Sequence, residues 1–239
     1  MIPFVRLPVS VPVAGAPIIQ PADMGQLVPL GPERDAIGHW ELGGSDASLT
    51  DLLDGAVLTA HGTAPTFEDN CVVTAGGGQH GLDTPFNEAL DQTMIIVAQR
   101  PPLASKQVVM GTLIGAPGES GSYWESANTL NQLTRGYTNT LFSAGLPAPG
   151  EWYFLAVSQS GTTRTVWMSG QDPVVTAGTP ILSTRKLALG CSYFSSLYGA
   201  SLKAATLIVY DKVLTVDDIP SRFSRCRQRS LARGITIGQ

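Results

Sequence analysis

From Ile37 to Thr215, short apolar runs rich in β-branched residues are broken by Gly, Pro, Asn or Asp every 8 to 15 residues, and no long segment carries a helical period. "QTMIIVAQR", "QVVMGTLIG", "KLALGCSYF" and "SLKAATLIVYDKVLT" are four such runs. Regular turn signals between short strands predict a β-sandwich or barrel. The composition agrees: only 14% of residues are charged, with 26 glycines and 17 prolines, which suits many short segments better than long surface helices. At 239 residues the chain is long enough for one large all-β domain with a substantial core.

The stretch "EWYFLAVSQSGTTRTVWMSGQ" at 151–171 is the clearest local unit. Alternation places Trp152, Phe154 and Ala156 on one face of a strand and Tyr153, Leu155 and Val157 on the other. Both faces are apolar, so the strand is expected to be central and covered on both sides. "SQSGTT" turns the chain, and Thr165 to Met168 return beside it as the second arm of a hairpin. "TLNQLTRGYTNTLFSAG" is a second hairpin candidate about Arg135-Gly136. "PTFEDNCVVTA" reads as one strand, and "SDASLTDLLDG" as a short helical turn followed by an Asp-Gly turn.

The two ends differ from the middle. In residues 1–35, Pro3, Pro8, Pro12, Pro17 and Pro21 recur at steps of five and four between Val, Ile and Leu. Each fixes φ and disfavours helix before it, so an extended docking arm is predicted. The same prolines oppose the helical h-region of a secretion signal, and the segment is read as mature sequence. In 215–239, Thr215 and Asp218 form a capping-box-like start, Pro220 fits a first turn, and Gly234 is the expected stop. Ile219, Phe223, Cys226 and Leu231 would face inward and the arginines outward. Residues 36–214 form the sandwich between these ends.

All acidic residues lie at or before Asp218, whereas Arg222, Arg225, Arg227, Arg229 and Arg233 follow it. The part up to residue 221 carries −9 and the tail +5, for a net −4. Such a body does not attract nucleic acid by its overall charge, and no nucleic-acid partner is expected. No run of about 18 apolar residues is present, so no membrane insertion is expected. Cys71, Cys191 and Cys226 are odd in number, lack paired spacing and are read as buried thiols.

Three segments in order resemble the laminin-G-like, or concanavalin A-like, jelly roll: "GGGQHGLDTPFNEALDQTMIIVAQ", "GEWYFLAVSQSGTTRTVWMSG" and "ASLKAATLIVYDKVLTVDDI". The resemblance covers roughly residues 38–220. It implies two antiparallel sheets packed face to face, one of them curved. It implies fold more than activity, since relatives of this architecture bind sugars, bind proteins or cleave glycans.

A glycosidase centre needs two carboxylates about 5 to 9 Å apart, which on a strand means an alternating acidic motif. None is present; Asp51 and Asp54 read as turn residues, and no catalytic residue is assigned. "GGGQHG" at Gly76–Gly81 fits a dinucleotide spacing but precedes "LDTPF" rather than a helix, so it is read as a loop. His39, His61 and His80 are scattered, Asp46, Asp69 and Asp83 lie near turns without a calcium-loop pattern, and no metal or cofactor is expected. Sugar sites need an exposed aromatic plane beside amides or carboxylates. Tyr123, Trp124, Glu125 and Asn128 in "GESGSYWESAN", which looks loop-like, and Tyr193 and Tyr198 in "SYFSSLYG" are the candidates; each could instead pack on the sandwich ends.

A sandwich with no assigned catalytic centre, an apolar Pro-spaced arm and no disulfide framework together suggest a bacteriophage structural or adhesin protein, such as a tail fibre, spike or decoration subunit. It would be located in the virion, dock to other virion subunits by its arm, assemble as a homo-oligomer, a homotrimer for instance, and display the sandwich to a host surface glycan. The rival readings are a free carbohydrate-binding module and a glycan-degrading enzyme with an unrecognised centre.

Overall fold

The structure is a computed structural model and describes residues 30–102, 105–113, 119–125, 128–193 and 198–238. Pro3, Pro8, Pro12, Pro17 and Pro21 of the leader lie outside the described residues. Among the described residues fifteen strands follow one another: β1 (Gly38–Glu41), β2 (Thr59–His61), β3 (Thr66–Glu68), β4 (Cys71–Val73) and β5 (Gly81–Asn87) come first. Then come β6 (Gln92–Gln99), β7 (Gln107–Gly111), β8 (Ser120–Glu125), β9 (Thr129–Thr134) and β10 (Thr140–Phe142). The last are β11 (Trp152–Gln159), β12 (Thr163–Met168), β13 (Val174–Ala177), β14 (Lys186–Leu189) and β15 (Lys203–Tyr210), before a helix α1 (Ile219–Ala232).

The strands form an all-β, two-sheet antiparallel sandwich. One sheet runs β13-β12-β11-β6-β15-β4-β3, with β1 also paired to β15; the other runs β10-β9-β8-β7-β14-β5-β2. The expected hairpin at 151–171 is β11–β12, with Ala156 opposite Trp167 and Gln159 opposite Arg164. Both faces of β11 are covered. Tyr153 and Leu155 join the core between the sheets with Trp40, Ile96, Val109 and Leu187. Phe154 and Ala156 join a second core, between this sheet and α1, with Ile208, Cys226 and Ile235. Burial of both faces is why β6, β11 and β15 read as unbroken apolar runs rather than as alternating ones.

Two local expectations are corrected. "PTFEDNCVVTA" is not one strand: Glu68 pairs with Cys71, and Asp69-Asn70 make a two-residue turn between β3 and β4. Asp and Asn tolerate the backbone of such a turn, and their presence overrides the surrounding β-propensity. "GSYWE" is not a loop but β8, paired on both edges with β7 and β9. Its glycine marks close approach, since a Cβ at Gly121 would stand 2.6 Å from the Leu113 side chain and 2.7 Å from the Met110 carbonyl.

Helix α1 starts as the sequence implies. The Thr215 amide donates to Asp218 Oδ2 at 2.9 Å, and the Asp218 amide donates to Thr215 Oγ1 at 3.3 Å. It ends at Gly234, where φ is +77°, with Ile235 N–H donating to Ser230 O and Gly234 N–H to Leu231 O. Ile219, Phe223 and Cys226 face inward as expected, but Leu231 and several arginines do not follow expectation. Leu231 is 52% exposed, whereas Arg229 is buried and Arg222, Arg225 and Arg233 are partly covered; Arg227 alone among the tail arginines is exposed.

The reason is an acidic surface under the helix. Buried Glu33 accepts from Arg222 Nη1 at 2.8 Å, Arg225 Nε at 2.7 Å and Arg229 Nη2 at 2.9 Å. Asp35 takes Arg222 and Lys212, and Glu41 takes Arg229 and Arg233. Residues 30–35, the described root of the leader, are thereby tied to the C-terminal helix.

Candidate functional site

On the outer face of the eight-stranded sheet, β11, β12 and α1 bring three aromatic rings together. Alternation turns Phe154 and Trp167 outward, and the helical repeat of α1 lowers Phe223 onto them. Ring centroids are 5.2 Å apart for Phe154–Trp167, 5.3 Å for Phe154–Phe223 and 5.1 Å for Trp167–Phe223, all edge to face. Phe154 is buried, while Trp167 and Phe223 stay partly exposed. β12 then ends, and Ser169–Asp172 turn the chain, with Gly170 at φ +77°. Gln171 Nε2 donates to the Gly145 carbonyl at 2.7 Å, which fixes its amide, and Asp172 is exposed. Trp167, Gly170, Gln171, Asp172 and Phe223 line an open hollow of about 460 Å³. An apolar ring surface beside a carboxylate and an oriented amide suits a molecule with one apolar face and several hydroxyls.

The six residues singled out from the sequence fall elsewhere, and the structure does not bring the six together. Tyr123 projects from the outer face of the seven-stranded sheet and meets Tyr198 edge to face at 5.5 Å, over Val108 and Leu113. Tyr198 is 7% exposed, and burial pushes its hydroxyl pKa up. Trp124 points the opposite way, into the core. It is 2% exposed, its Nε1 donates to the Tyr153 hydroxyl at 3.0 Å, and Arg100 lies 4.9 Å from its ring centre. Its indole therefore presents no plane to solvent. Glu125 pairs with Lys106, and exposed Asn128, at φ +63°, turns β8 toward β9. Tyr193 belongs to a separate cluster. Its hydroxyl lies 2.7 Å from Asp83 Oδ1, and Asp83 Oδ2 lies 3.1 Å from His61 Nδ1. The His61 and Tyr193 rings meet edge to face at 4.8 Å, and Arg185 stacks on Tyr193 at 4.9 Å. Tyr193 sits at φ +55°, a left-handed backbone a tyrosine rarely adopts.

His39, His80 and Asp51 hold backbone amides. His39 Nδ1 accepts the Glu33 amide at 3.0 Å, and His80 Nδ1 accepts the Thr63 amide at 2.9 Å. Asp51 Oδ1 accepts the amides of Asp54, Gly55 and Ala56, the turn role expected of it. All three cysteines are free and buried; burial raises the Cys71 thiol to about 12, Cys191 to about 11 and Cys226 to about 12, so each stays protonated at neutral pH. Among the described residues no group of three His, Cys, Asp or Glu is placed to hold a metal ion, and no helix is long and apolar enough to cross a membrane.

One end of the sandwich interior is polar. Glu88, Gln92, Ser120, Ser122, Gln132 and Gln159, with Met94, Met110, Val157 and Leu187, line a cavity of about 20 Å³, room for a water molecule. Burial pushes the Glu88 carboxyl up, against a 2.8 Å hydrogen bond from the Ser183 amide. Beside Gln159 in register, Arg164 is fully buried. Its Nη2 donates to Thr138 O and Thr140 Oγ1, while Nε and Nη1 have no partner among the described residues. Burial lowers its pKa to about 10.

The sequence reading missed the Trp167 hollow, although its signal was present: an aromatic one residue from a strand end, followed by a Ser-Gly-Gln-Asp turn. No protein-family model and no curated protein matches the chain. Solved structures do. A Trypanosoma rangeli sialidase in complex with sialic acid superposes with a TM-score of 0.60 at 12% identity, over 79% of this chain and 32% of that one. A mutant of that sialidase displaying trans-sialidase activity gives 0.61 at 11% identity, over 84% and 34%. The binding domain of botulinum neurotoxin serotype D gives 0.59 at 9%, over 80% and 50%. This chain thus spans about a third of the sialidases and half of the toxin domain. At such low identity the likeness is one of fold: the chain is similar to the β-sandwich portions of larger proteins.

Proposed function

We propose that the chain is a non-catalytic sandwich that binds glycan in the Trp167–Phe223 hollow. The observation that carries this reading is the pair of partly exposed rings beside Gln171 and Asp172. A sugar's apolar C–H face would lie on the rings while its hydroxyls donate to the Asp172 carboxylate and meet the Gln171 amide. The company this fold keeps supports it: one similar structure holds sialic acid, and another is a toxin's binding domain. Calorimetric titration with sialylated and neutral oligosaccharides tests it. Trp167→Ala and Asp172→Asn are each expected to weaken binding about tenfold or more, a loss of at least about 1.4 kcal/mol. Unchanged affinity in both variants refutes the assignment, and release of reducing ends during incubation refutes the non-catalytic role.

In its finer form the proposal makes this a phage virion subunit, docked to its neighbours through the proline-spaced leader and displayed as a homo-oligomer. The support is the leader sequence itself, with its apolar residues set between prolines. Light scattering on the full chain and on a chain lacking residues 1–29 tests this form. A monomeric mass for both removes it and leaves a glycan-binding module.

A further inference from the structure

The Trp167 hollow has a charge as well as a shape. Its lining holds two aromatic side chains, Trp167 and Phe223, with Gly170, the Gln171 amide and the Asp172 carboxylate, and Asp172 is the only charged residue among them. It is exposed, and no Lys, Arg or His pairs with it among the described residues. Other acidic groups of the chain are answered: Glu33 and Asp35 hold Arg222, Glu41 holds Arg233, Glu68 holds Lys203 and Asp83 meets His61.

The remaining groups of the lining have the same preference. An ionised carboxylate can only accept hydrogen bonds. Gln171 gives Nε2 to the Gly145 carbonyl, which leaves its oxygen as an acceptor. The face of an aromatic ring is negative and attracts a cation, tryptophan most strongly. Trp167 and Phe223 are both partly exposed, so a ligand can reach them. No Lys or Arg lines the hollow to meet an anion. Arg227, one turn beyond Phe223 on α1, is outside the lining and exposed, where salt screens its charge. The net charge of −4 adds to the attraction for a cation.

We propose that the hollow selects a cationic group and, resting on the glycan reading above, that its ligand is an amino sugar with a free ammonium. The ammonium sits against a ring face and the Asp172 carboxylate, and the sugar's C–H face lies on the rings beside it. Acidic sugars are turned away, because their carboxylate would meet Asp172 with no cation in the lining to offset it. An exposed cation–π contact and an exposed ion pair are each modest, and together they favour glucosamine over glucose by roughly three- to thirtyfold.

The test is an NMR titration of the full chain with glucosamine, N-acetylglucosamine, glucose, glucuronic acid and choline, at low salt and slightly acidic pH, following the Trp167 indole. Glucosamine is expected to bind most tightly of the sugars and glucuronic acid least, and acetylation, which removes the charge, should reduce glucosamine to the level of glucose. Asp172→Asn should bring the glucosamine-to-glucose ratio to about one, and Asp172→Glu should restore most of it. Raising the pH until the amine loses its proton should erase the preference in the wild type. Sugars that bind with no preference for glucosamine, or with one for glucuronic acid, overturn this inference and leave the glycan reading standing. A response to choline with none to any sugar overturns the glycan reading and the amino sugar with it, and upholds selection of a cation. Silence from every probe overturns both.

Discussion

Replacing Glu33 by Gln perturbs the one carboxylate that three arginines share. The side chain is 1% exposed and accepts from Arg222, Arg225 and Arg229 at 2.7 to 2.9 Å. Glutamine keeps the shape but not the charge, and its NH₂ would face a guanidinium donor. Arg229, itself 7% exposed, would keep only Glu41 as a carboxylate partner. Removing one member of a buried ion pair costs about 3–5 kcal/mol because the other is left uncompensated. Two of the arginines are partly exposed and can recover water, so the lower half of that range, about 3 kcal/mol, is expected. In a chain of this length that corresponds to a melting-temperature loss of about 6–12 °C.

Glu33 also sets how stability responds to acid. Burial pushes its carboxyl up, but hydrogen bonds from Arg225 and Arg229 and their charges outweigh burial and hold it below the usual range. Asp35 and Glu41 are depressed too, with burial again opposing their cationic and hydrogen-bonding partners. A carboxyl depressed on folding binds fewer protons folded than unfolded, so its contribution is complete above the unfolded value, about 4.3 for Glu, and is lost as pH falls through the folded value. Urea unfolding followed by tryptophan fluorescence, repeated from neutral pH to below pH 4, measures both effects. Glu33→Gln should lower the midpoint at neutral pH, and the gap to wild type should close in acid. A difference under about 1 kcal/mol at neutral pH, the worth of an exposed pair, or a gap independent of pH, refutes the reasoning.

Arg164→Met removes a buried cation with no carboxylate partner, together with its bonds to Thr138 O and Thr140 Oγ1 and its place 5.2 Å over the Tyr137 ring; relief of the desolvation cost is expected to outweigh these and stabilise by about 1 kcal/mol, and a loss in urea unfolding would mean that the bonds and the ring contact outweigh it. Burial raises the Glu88 carboxyl on folding, so the folded state holds its proton longer and pays for ionisation once pH passes the folded value. Glu88→Gln, which can still accept the Ser183 amide, should therefore be more stable than wild type at neutral pH, with the gain vanishing below about pH 4.3. Gly111→Ala places a Cβ 2.3 Å from the Ser120 carbonyl and 2.4 Å from Gly121 Cα, at φ +129°; the edge between β7 and β8 would have to open, at about 3 kcal/mol, and a midpoint within error of wild type would refute the geometry.

Features governed by near neighbours were legible in the sequence. The β11–β12 hairpin follows from alternation and one polar turn, and the ends of α1 follow from Thr215, Asp218 and Gly234, all within a few residues of the bonds they make. The errors arose where one residue type serves two purposes. Glycine and serine mark loops, but Gly121 is small because neighbouring strands crowd it, and Ser120 and Ser122 hydrogen-bond to Thr134 and Gln132 inside the sandwich. That ambiguity turned β8 into an apparent loop and Trp124 into an apparent surface ring.

The arginine tail shows why the remainder was out of reach. Helical spacing placed Ile219, Phe223 and Cys226 inward but could not show that Arg229 joins them and Leu231 does not, because that depends on what the sheet offers there. Glu33 meets Arg229 across 196 positions of sequence, and Glu41 meets Arg233 across 192. A carboxylate so placed turns a line of arginines inward that amphipathicity would turn outward, and Leu231 is displaced to solvent in exchange. The same helix contributes to the candidate site: Phe223, inward as its spacing implies, packs beside Trp167 with ring centroids 5.1 Å apart and lines the hollow. Glu33→Gln therefore reaches beyond stability: if the clamp sets the roll of α1, glycan affinity in the Trp167 hollow should fall even where the protein remains folded, and an affinity equal to wild type would separate the clamp from the site.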